Sequence, residues 1–168
     1  MPYDPSWPRQ FEKERAILET IFAGSQITIE HVGSTAVPGL GGKPVIDVMV
    51  GLSQLKEAED RTAALESTGY EYVREYEMQL PERRYFRKPR LGPRVFHLHC
   101  VIKQGDFWTR HLAFRDYLRT HPESAAAYYE LKQELAANIK KEEYTEAKSP
   151  FIEDILIRVL GHNDRRQD

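Results

Sequence analysis

The stretch Glu30–Val50, EHVGSTAVPGLGGKPVIDVMV, decides the architecture around which the rest of the chain is arranged. It begins at the end of an alternating, β-branched run, Gln26–Val32, which predicts a strand. A loop rich in Gly, Ser, Thr and Pro follows over 33–43. Pro44–Val50 is almost continuously apolar, which is typical of a strand covered on both faces, and its only charge is Asp47.

Periodicity and punctuation predict the remaining elements. A helix precedes the stretch over roughly 7–23. The elements predicted after it are a helix over 53–68, strands over 70–74, 84–88 and 95–102, helices over 106–120, 123–142 and 149–161, and a polar tail over 163–168. This order predicts one α+β domain over 1–168, with a mixed sheet backed by helices in about 1–104 and a helical part in about 105–162.

The composition is that of a globular chain. Of the 168 residues, 40% are apolar and 30% charged, and no apolar run approaches the roughly 20 residues that a membrane helix needs. The single cysteine, Cys100, excludes an internal disulfide and favours a reducing, cytoplasmic location. The formal net charge of −2 argues against general nucleic-acid binding, but it leaves open a local pocket for a small anion. The composition does not indicate an oligomeric state.

The loop that follows the first strand has the residue types of a phosphate cradle. Gly33 lets the backbone approach a ligand closely, and Lys43 adds a cation. Ser34 and Thr35 supply hydroxyl and N–H groups. The lysine is followed by a proline and the glycine spacing differs from that of a P-loop, so the loop is not of the Walker A type. A glycine-rich connection between strands that binds no ligand is the alternative interpretation.

Three polar side chains on the predicted strands are candidates for chemistry. Asp47 lies within an apolar run, where burial without a partner is costly, so it is a candidate ligand for a divalent cation. A structural ion pair with Arg or Lys is the alternative. His97 and His99 point to the same face of a strand, and Cys100 points to the other face. Two such imidazoles can bind a metal or phosphate, act as a general base, or have no chemical role.

Basic residues on the later elements are candidates for an anion pocket. Steps of four residues place side chains on one helix face in His111–Arg115–Arg119, Tyr128–Lys132 and Tyr144–Lys148. The phosphate contacts that we predict in addition to the loop are Arg84, Arg115, Arg119 and Lys132. Solvated charged faces give the same pattern, so the sequence leaves both interpretations open.

The combination of these motifs resembles the GrpB family. The segments that carry the resemblance are, in chain order, EHVGSTAVPGLGGKPVIDVMV, RRYFRK, FHLHCV, FRDYLR and the Tyr128–Lys132 pair, and with Tyr3 and Trp7 they extend over nearly the whole chain. The resemblance implies a fold of the nucleotidyltransferase superfamily of the DNA polymerase beta type. A similar domain is fused to dephospho-coenzyme A kinase in some bacteria.

The resemblance also implies roles for individual residues. Gly33 and Ser34 match the Gly-Ser pair of the superfamily, and Asp47 matches its first metal-binding acid. Met49 stands in the position of the second acid, and His97 and His99 stand on the strand where the third is expected. We therefore predict that Asp47 and the two histidines converge on one cleft. Two-metal catalysis requires several carboxylates, so a standard two-metal site is not expected.

Three functional hypotheses follow. The first is a nucleotidyltransferase-fold protein that binds a nucleotide or another phosphate-bearing small molecule and transfers a nucleotidyl group with Mg²⁺ or Mn²⁺. Asp47, His97 and His99 would then be the catalytic and metal-binding residues, and the basic residues would hold phosphates. The second is a non-catalytic nucleotide- or anion-binding domain. The third is a mononuclear metal-dependent hydrolase that uses the same three side chains.

Overall fold

A five-stranded mixed sheet forms the centre of the computed structural model, which describes residues 1–140 and 143–161. The strands are β1 (Thr28–Val32), β2 (Ile46–Leu52), β3 (Glu71–Tyr72), β4 (Arg83–Lys88) and β5 (Phe96–Ile102). Their spatial order is β1-β2-β5-β4-β3, and β2 and β5 are parallel while every other neighbouring pair is antiparallel. The predicted α+β class is therefore confirmed.

The helices cover the two faces of the sheet in two groups. They are α1 (Trp7–Ile21), α2 (Lys56–Glu59), α3 (Thr62–Ser67), α4 (Asp106–Thr120), α5 (Pro122–Asn138) and α6 (Tyr144–Leu160). The first three pack on one face, and α4 packs on the other face with α5 and α6 beside it. No helix in the described ranges is long and apolar enough to cross a membrane.

The main core lies between the sheet and α1. Side chains alternate along a strand, so Val48 of β2 and Leu98 of β5 point to the same face, where they meet Trp7 and Leu18. All four side chains are buried, and Cys100 is buried with them. Burial of apolar surface at this face is the main force that holds the sheet to α1.

The second face carries a smaller core and the polar side chains. Met49 of β2 and Val101 of β5 pack against Trp108 of α4. Beyond this contact, α4, α5 and α6 pack on one another and on the loop after β1, through Leu118, Tyr128, Ile155, Val37 and Leu40. The helical part therefore lies over the face of the sheet to which Asp47 belongs.

The structure differs from the predicted elements at three places. The helix predicted over 53–68 is two short helices, α2 and α3, and the strand predicted over 70–74 is only the two residues of β3. The last helix begins at Tyr144 and continues through Pro150, which the sequence pattern assigns to its first turn. Contacts on both sides of the proline hold it helical, since Tyr144 lies against Lys43 and Phe151 stacks on Tyr128. The end of the helix predicted over 123–142 and the tail over 163–168 lie outside the described residues.

Candidate functional site

A cleft with two adjoining chambers lies between the second sheet face and the helical part. The lysine chamber, of about 510 Å³, is lined among others by Lys43, Lys132 and Lys148. The apolar chamber, of about 410 Å³, is lined by side chains that include Phe114, Leu118, Ile152 and Leu156. The residues that line both chambers are Ser34, Asp47, Tyr128 and Lys148. The two chambers are thus parts of one cleft.

Asp47, His97 and His99 meet at the sheet side of this cleft. Parallel pairing of β2 with β5 places Asp47 directly beside His97. Asp47 Oδ1 lies 3.0 Å from His99 Nε2 and 3.4 Å from His97 Nδ1. The predicted convergence of these three side chains is confirmed. His99 is nearly buried and lines the apolar chamber, whereas His97 lines the lysine chamber and is 30% exposed, so His97 is the more accessible of the two imidazoles.

A guanidinium group fixes the protonation of His99. Arg83 Nη1 lies 3.3 Å from His99 Nδ1, and because arginine only donates, this ring nitrogen accepts. The proton of the neutral imidazole is then on Nε2, which donates to Asp47 Oδ1. Both ring nitrogens of His99 are therefore engaged in a chain that runs from Arg83 through His99 to Asp47.

Burial and hydrogen bonding set the pKa values of Asp47 and His99. Burial opposes ionisation of Asp47, but hydrogen bonds and charge interactions with His97 and His99 outweigh it and hold the pKa of Asp47 below its ordinary value. Burial also lowers the pKa of His99, against the opposing effect of Asp47. Asp47 is therefore ionised and His99 neutral near pH 7.

The loop after β1 touches Asp47 at Gly33. The Gly33 backbone has φ 73° and ψ −173°, a region that only glycine adopts readily. A Cβ atom at this position would lie 2.6 Å from Asp47 Oδ2. Glycine therefore permits both the turn and the close approach of the loop to the carboxylate.

Lys132 joins the loop after β1 to α5, and its pKa is far below that of an ordinary lysine. Its Nζ donates to Ser34 Oγ and to the Gly41 carbonyl oxygen, both at 2.8 Å. The side chain is 8% exposed, and burial together with the charge of Lys148 lowers the pKa of Lys132 to about 8. Burial and the charge of Lys43 likewise lower the pKa of Lys148, against the opposing charge of Asp47.

The three lysines leave positive charge in the chamber. Within the described ranges, no carboxylate lies within 4.0 Å of the ammonium group of Lys43, Lys132 or Lys148. Lys43 and Lys148 instead lie over the Tyr144 ring, at 5.4 and 4.4 Å from its centroid. Such a group of converging cations, partly removed from water, favours an anionic ligand.

Arg84 lies elsewhere, and its prediction as a contact in the cleft is wrong. It pairs in register with Cys100 on the α1 side of the sheet and contacts Glu59 at 2.9 Å. Arg83, the preceding residue on β4, points to the cleft side instead, because it pairs in register with Val101. The sequence shows the alternation along β4, but it does not show which set faces the cleft, because the register of an antiparallel pair is a tertiary property.

Three further predicted contacts are engaged within the protein. Arg115 borders the apolar chamber, but its guanidinium binds Glu30 at 2.6 Å, the His31 carbonyl oxygen at 2.9 Å and Asp116 at 2.8 Å. Arg119 donates to the Ala36 carbonyl oxygen at 2.9 Å. Thr35 Oγ1 is hydrogen-bonded to His31 Nε2 at 2.9 Å. These contacts hold α4 and the loop after β1 in place, so each of the three side chains has a structural role at the cleft.

Sequence reasoning did not assign two residues of the site. The sequence pattern gives Lys148 only as one end of a four-residue step, and the predicted helix begins at 149, after this residue. Arg84, and not Arg83, was the residue predicted on β4. Period-two alternation on β4 was the one signal for Arg83, since it places this residue on the same face as Tyr85.

The three side chains at the sheet do not fit a shared metal site. In residues 1–140 and 143–161, no group of three or more His, Cys, Asp or Glu side chains is arranged to hold a metal ion. His99 has both ring nitrogens engaged, one of them by the Arg83 guanidinium. Met49 beside them is fully buried and offers no oxygen ligand. The Asp47 carboxylate supplies oxygen atoms, the ligands that Mg²⁺ and Mn²⁺ prefer.

The fold and the cleft define an α+β protein in which a glycine-rich loop faces a chamber lined by three lysines. Comparison with known proteins places the chain in the GrpB family, whose profile, described as GrpB protein, matches residues 1–158.

Relatives of this family resemble the chain over most of its length. The chain is 39% identical over 167 residues to a UPF0157 protein of Pseudomonas aeruginosa, covering 96% of this chain and 67% of that protein. It is 35% identical over 160 residues to the glutamate-rich protein GrpB of Alkalihalophilus pseudofirmus, covering 92% and 91%. The crystal structure of GrpB from Enterococcus faecalis superposes with a TM-score of 0.84 at 36% identity, covering 95% and 96%.

Proposed function

We propose that the cleft binds a nucleotide or another phosphate-bearing small molecule, with the phosphates in the lysine chamber. The observation that carries this proposal is the convergence of Lys43, Lys132 and Lys148 on one chamber, where Asp47 is the one lining carboxylate in the described ranges and lies more than 4.0 Å from their ammonium groups. Burial, and after it the charge of Lys148, lowers the pKa of Lys132, so the protonated form of this lysine is held there at a cost. A bound phosphate reduces that cost, because it brings negative charge next to the ammonium group.

The reaction that we propose at the site is nucleotidyl transfer, in which an acceptor hydroxyl attacks the α-phosphorus of a nucleoside triphosphate and the bond to the leaving pyrophosphate breaks. His97 contacts Asp47 through Nδ1, so its other ring nitrogen is the candidate base that takes the hydroxyl proton. Asp47 orients the imidazole and stabilises its protonated form, and the lysines offset charge that develops on the phosphate. Mg²⁺ or Mn²⁺ stays a prediction. Asp47 would hold it, and it would neutralise phosphate charge.

A binding domain without chemistry is the second candidate function. It is favoured by the burial of Met49 where an acid is expected and by the engagement of both His99 nitrogens. The mononuclear hydrolase also stays a prediction, but it requires His99 to release either Asp47 or Arg83 before it can bind a metal.

Calorimetric titration with a nonhydrolysable nucleoside triphosphate, with and without Mg²⁺, tests the binding proposal. The Ser34→Ala, Lys43→Ala double variant should lose about 2–4 kcal/mol of binding free energy. Lys13→Ala, an exposed lysine on α1 across the sheet, should bind like the wild type. Unchanged binding by the double variant would mean that the loop is only structural.

A turnover assay separates the first two candidates. The hydrolysable nucleotide is incubated with the protein, hydroxyl-bearing acceptors and Mg²⁺ or Mn²⁺, and ³¹P spectra are followed for a new phosphate ester and released pyrophosphate. Binding together with turnover supports the transferase. Binding without turnover under all these conditions supports the non-catalytic domain.

A further inference from the structure

We propose that the apolar chamber binds a planar ring belonging to the same molecule whose phosphate occupies the lysine chamber. The ligand class is then an aromatic or heteroaromatic phosphate ester rather than inorganic phosphate or a phosphorylated alkyl chain. This inference rests on the proposed function and narrows its ligand.

The lining of the apolar chamber suits a ring. Its volume of about 410 Å³ falls in the range of small-molecule pockets. Phe114 and Tyr128 stand edge to face in its wall, with their centroids 5.2 Å apart. Aliphatic side chains of Leu118, Ile152 and Leu156 complete the wall. Edge and offset contacts between aromatic rings contribute beyond the burial of apolar area, so this wall gives a ring an advantage over an alkyl chain of similar size.

The geometry also lets one molecule occupy both chambers. Tyr128 and Lys148 line each of them, and Lys132 Nζ lies 5.0 Å from the centroid of the Tyr128 ring. A phosphate held by Lys132 therefore lies next to the aromatic wall. Because the two chambers share these lining residues, a ring joined to that phosphate by a short link is placed to enter the apolar chamber.

Polar groups at the chamber give the ring an orientation. Arg110 and Glu153 form an ion pair there, and Ser149 lies nearby. His111 Nδ1 donates to the Phe107 carbonyl oxygen at 2.8 Å, which leaves Nε2 as an acceptor. A few polar groups beside an apolar wall are the pattern that fixes a ring with heteroatoms at its edge.

The test compares phosphate esters of different shape by calorimetry. Phenyl phosphate should bind at least about tenfold more tightly than methyl phosphate, because it buries a ring, and more tightly than cyclohexyl phosphate, because its ring is planar. Tripolyphosphate, which has no ring, probes the lysine chamber alone and should compete with phenyl phosphate.

Substitutions on α6 locate the ring. Ile152→Trp fills the apolar chamber and should abolish the advantage of phenyl phosphate while tripolyphosphate binding is unchanged. Ile157→Trp, on the same helix at a position that is 50% exposed, should keep the advantage. Phe114→Leu removes one of the two rings in the aromatic wall but keeps an apolar side chain, and it should also reduce the advantage of phenyl phosphate. The test therefore does not depend on a single variant that could fold poorly.

The outcomes separate this inference from the proposed function. Equal binding of phenyl and methyl phosphates, or of phenyl and cyclohexyl phosphates, would overturn the planar ring and leave the phosphate site intact as long as tripolyphosphate binds. An advantage that survives Ile152→Trp would place the ring elsewhere and would also overturn the inference. Absence of binding by tripolyphosphate and by every ester would overturn the proposed function itself.

Discussion

Substitution of Gly33 by alanine should destabilise the protein through two separable effects. The backbone at Gly33, with φ 73° and ψ −173°, is nearly restricted to glycine, which costs a side chain about 1–3 kcal/mol. The new methyl group would also lie 2.6 Å from Asp47 Oδ2 and 3.2 Å from Asp47 Cγ, an overlap that costs about 1–3 kcal/mol to relieve. Together they predict a loss of about 2–6 kcal/mol in the free energy of unfolding.

Two comparisons separate these effects in urea unfolding. Gly24→Ala has a similar φ of +88° but no atom within 4 Å of the new Cβ, so it should cost only about 1–2 kcal/mol. Gly33→Ala should cost less in an Asp47→Ala background than in the wild type, because the carboxylate is then absent. If Gly33→Ala costs no more than Gly24→Ala, or the same in both backgrounds, the loop does not press on Asp47 as described.

Three further predictions concern charged side chains. Lys132 has a pKa of about 8 instead of 10.5, so the cost of burying its charge is present below pH 8 and is relieved as the pH rises to 10.5. Over this pH range, denaturation curves should show the wild type gaining on the order of 3 kcal/mol of unfolding free energy relative to Lys132→Met. A difference that does not change with pH would contradict this prediction. Arg84→Ala should leave nucleotide affinity within twofold and cost under about 1 kcal/mol of stability, measured by calorimetry and urea unfolding; a large affinity loss would place the ligand on the α1 side. His97→Asn should lower any transfer rate by about 10²–10⁴ with little change in nucleotide binding, and a full rate would remove His97 as the base.

The sequence predicted the sheet side of the site well. The apolar run PVIDVMV singled out Asp47 as its one charge, and alternation within FHLHCV placed the two histidines on one face. Their meeting required both strands to lie in one sheet, which the family resemblance implied, whereas the parallel pairing of β2 with β5 is seen only in the structure.

The helical side of the site was harder to predict. Lys132 was predicted as a phosphate contact, but Lys148 was not. Pro150 is typical of a helix start, so the residues of α6 that precede it were not predicted to be helical. Arg115 and Arg119 look like free cations in the sequence, yet contacts with Glu30 and with backbone carbonyl groups engage them. Such contacts join segments more than 80 residues apart, and local spacing does not contain them.

A crystal structure with a nonhydrolysable nucleoside triphosphate and Mg²⁺ tests the central claim most directly. The account predicts phosphate oxygens within hydrogen-bond distance of Ser34 and of the ammonium groups of Lys43, Lys132 and Lys148, with Asp47 beside them. Phosphates bound outside the lysine chamber, or a cleft without nucleotide at a concentration that saturates binding in solution, would contradict it.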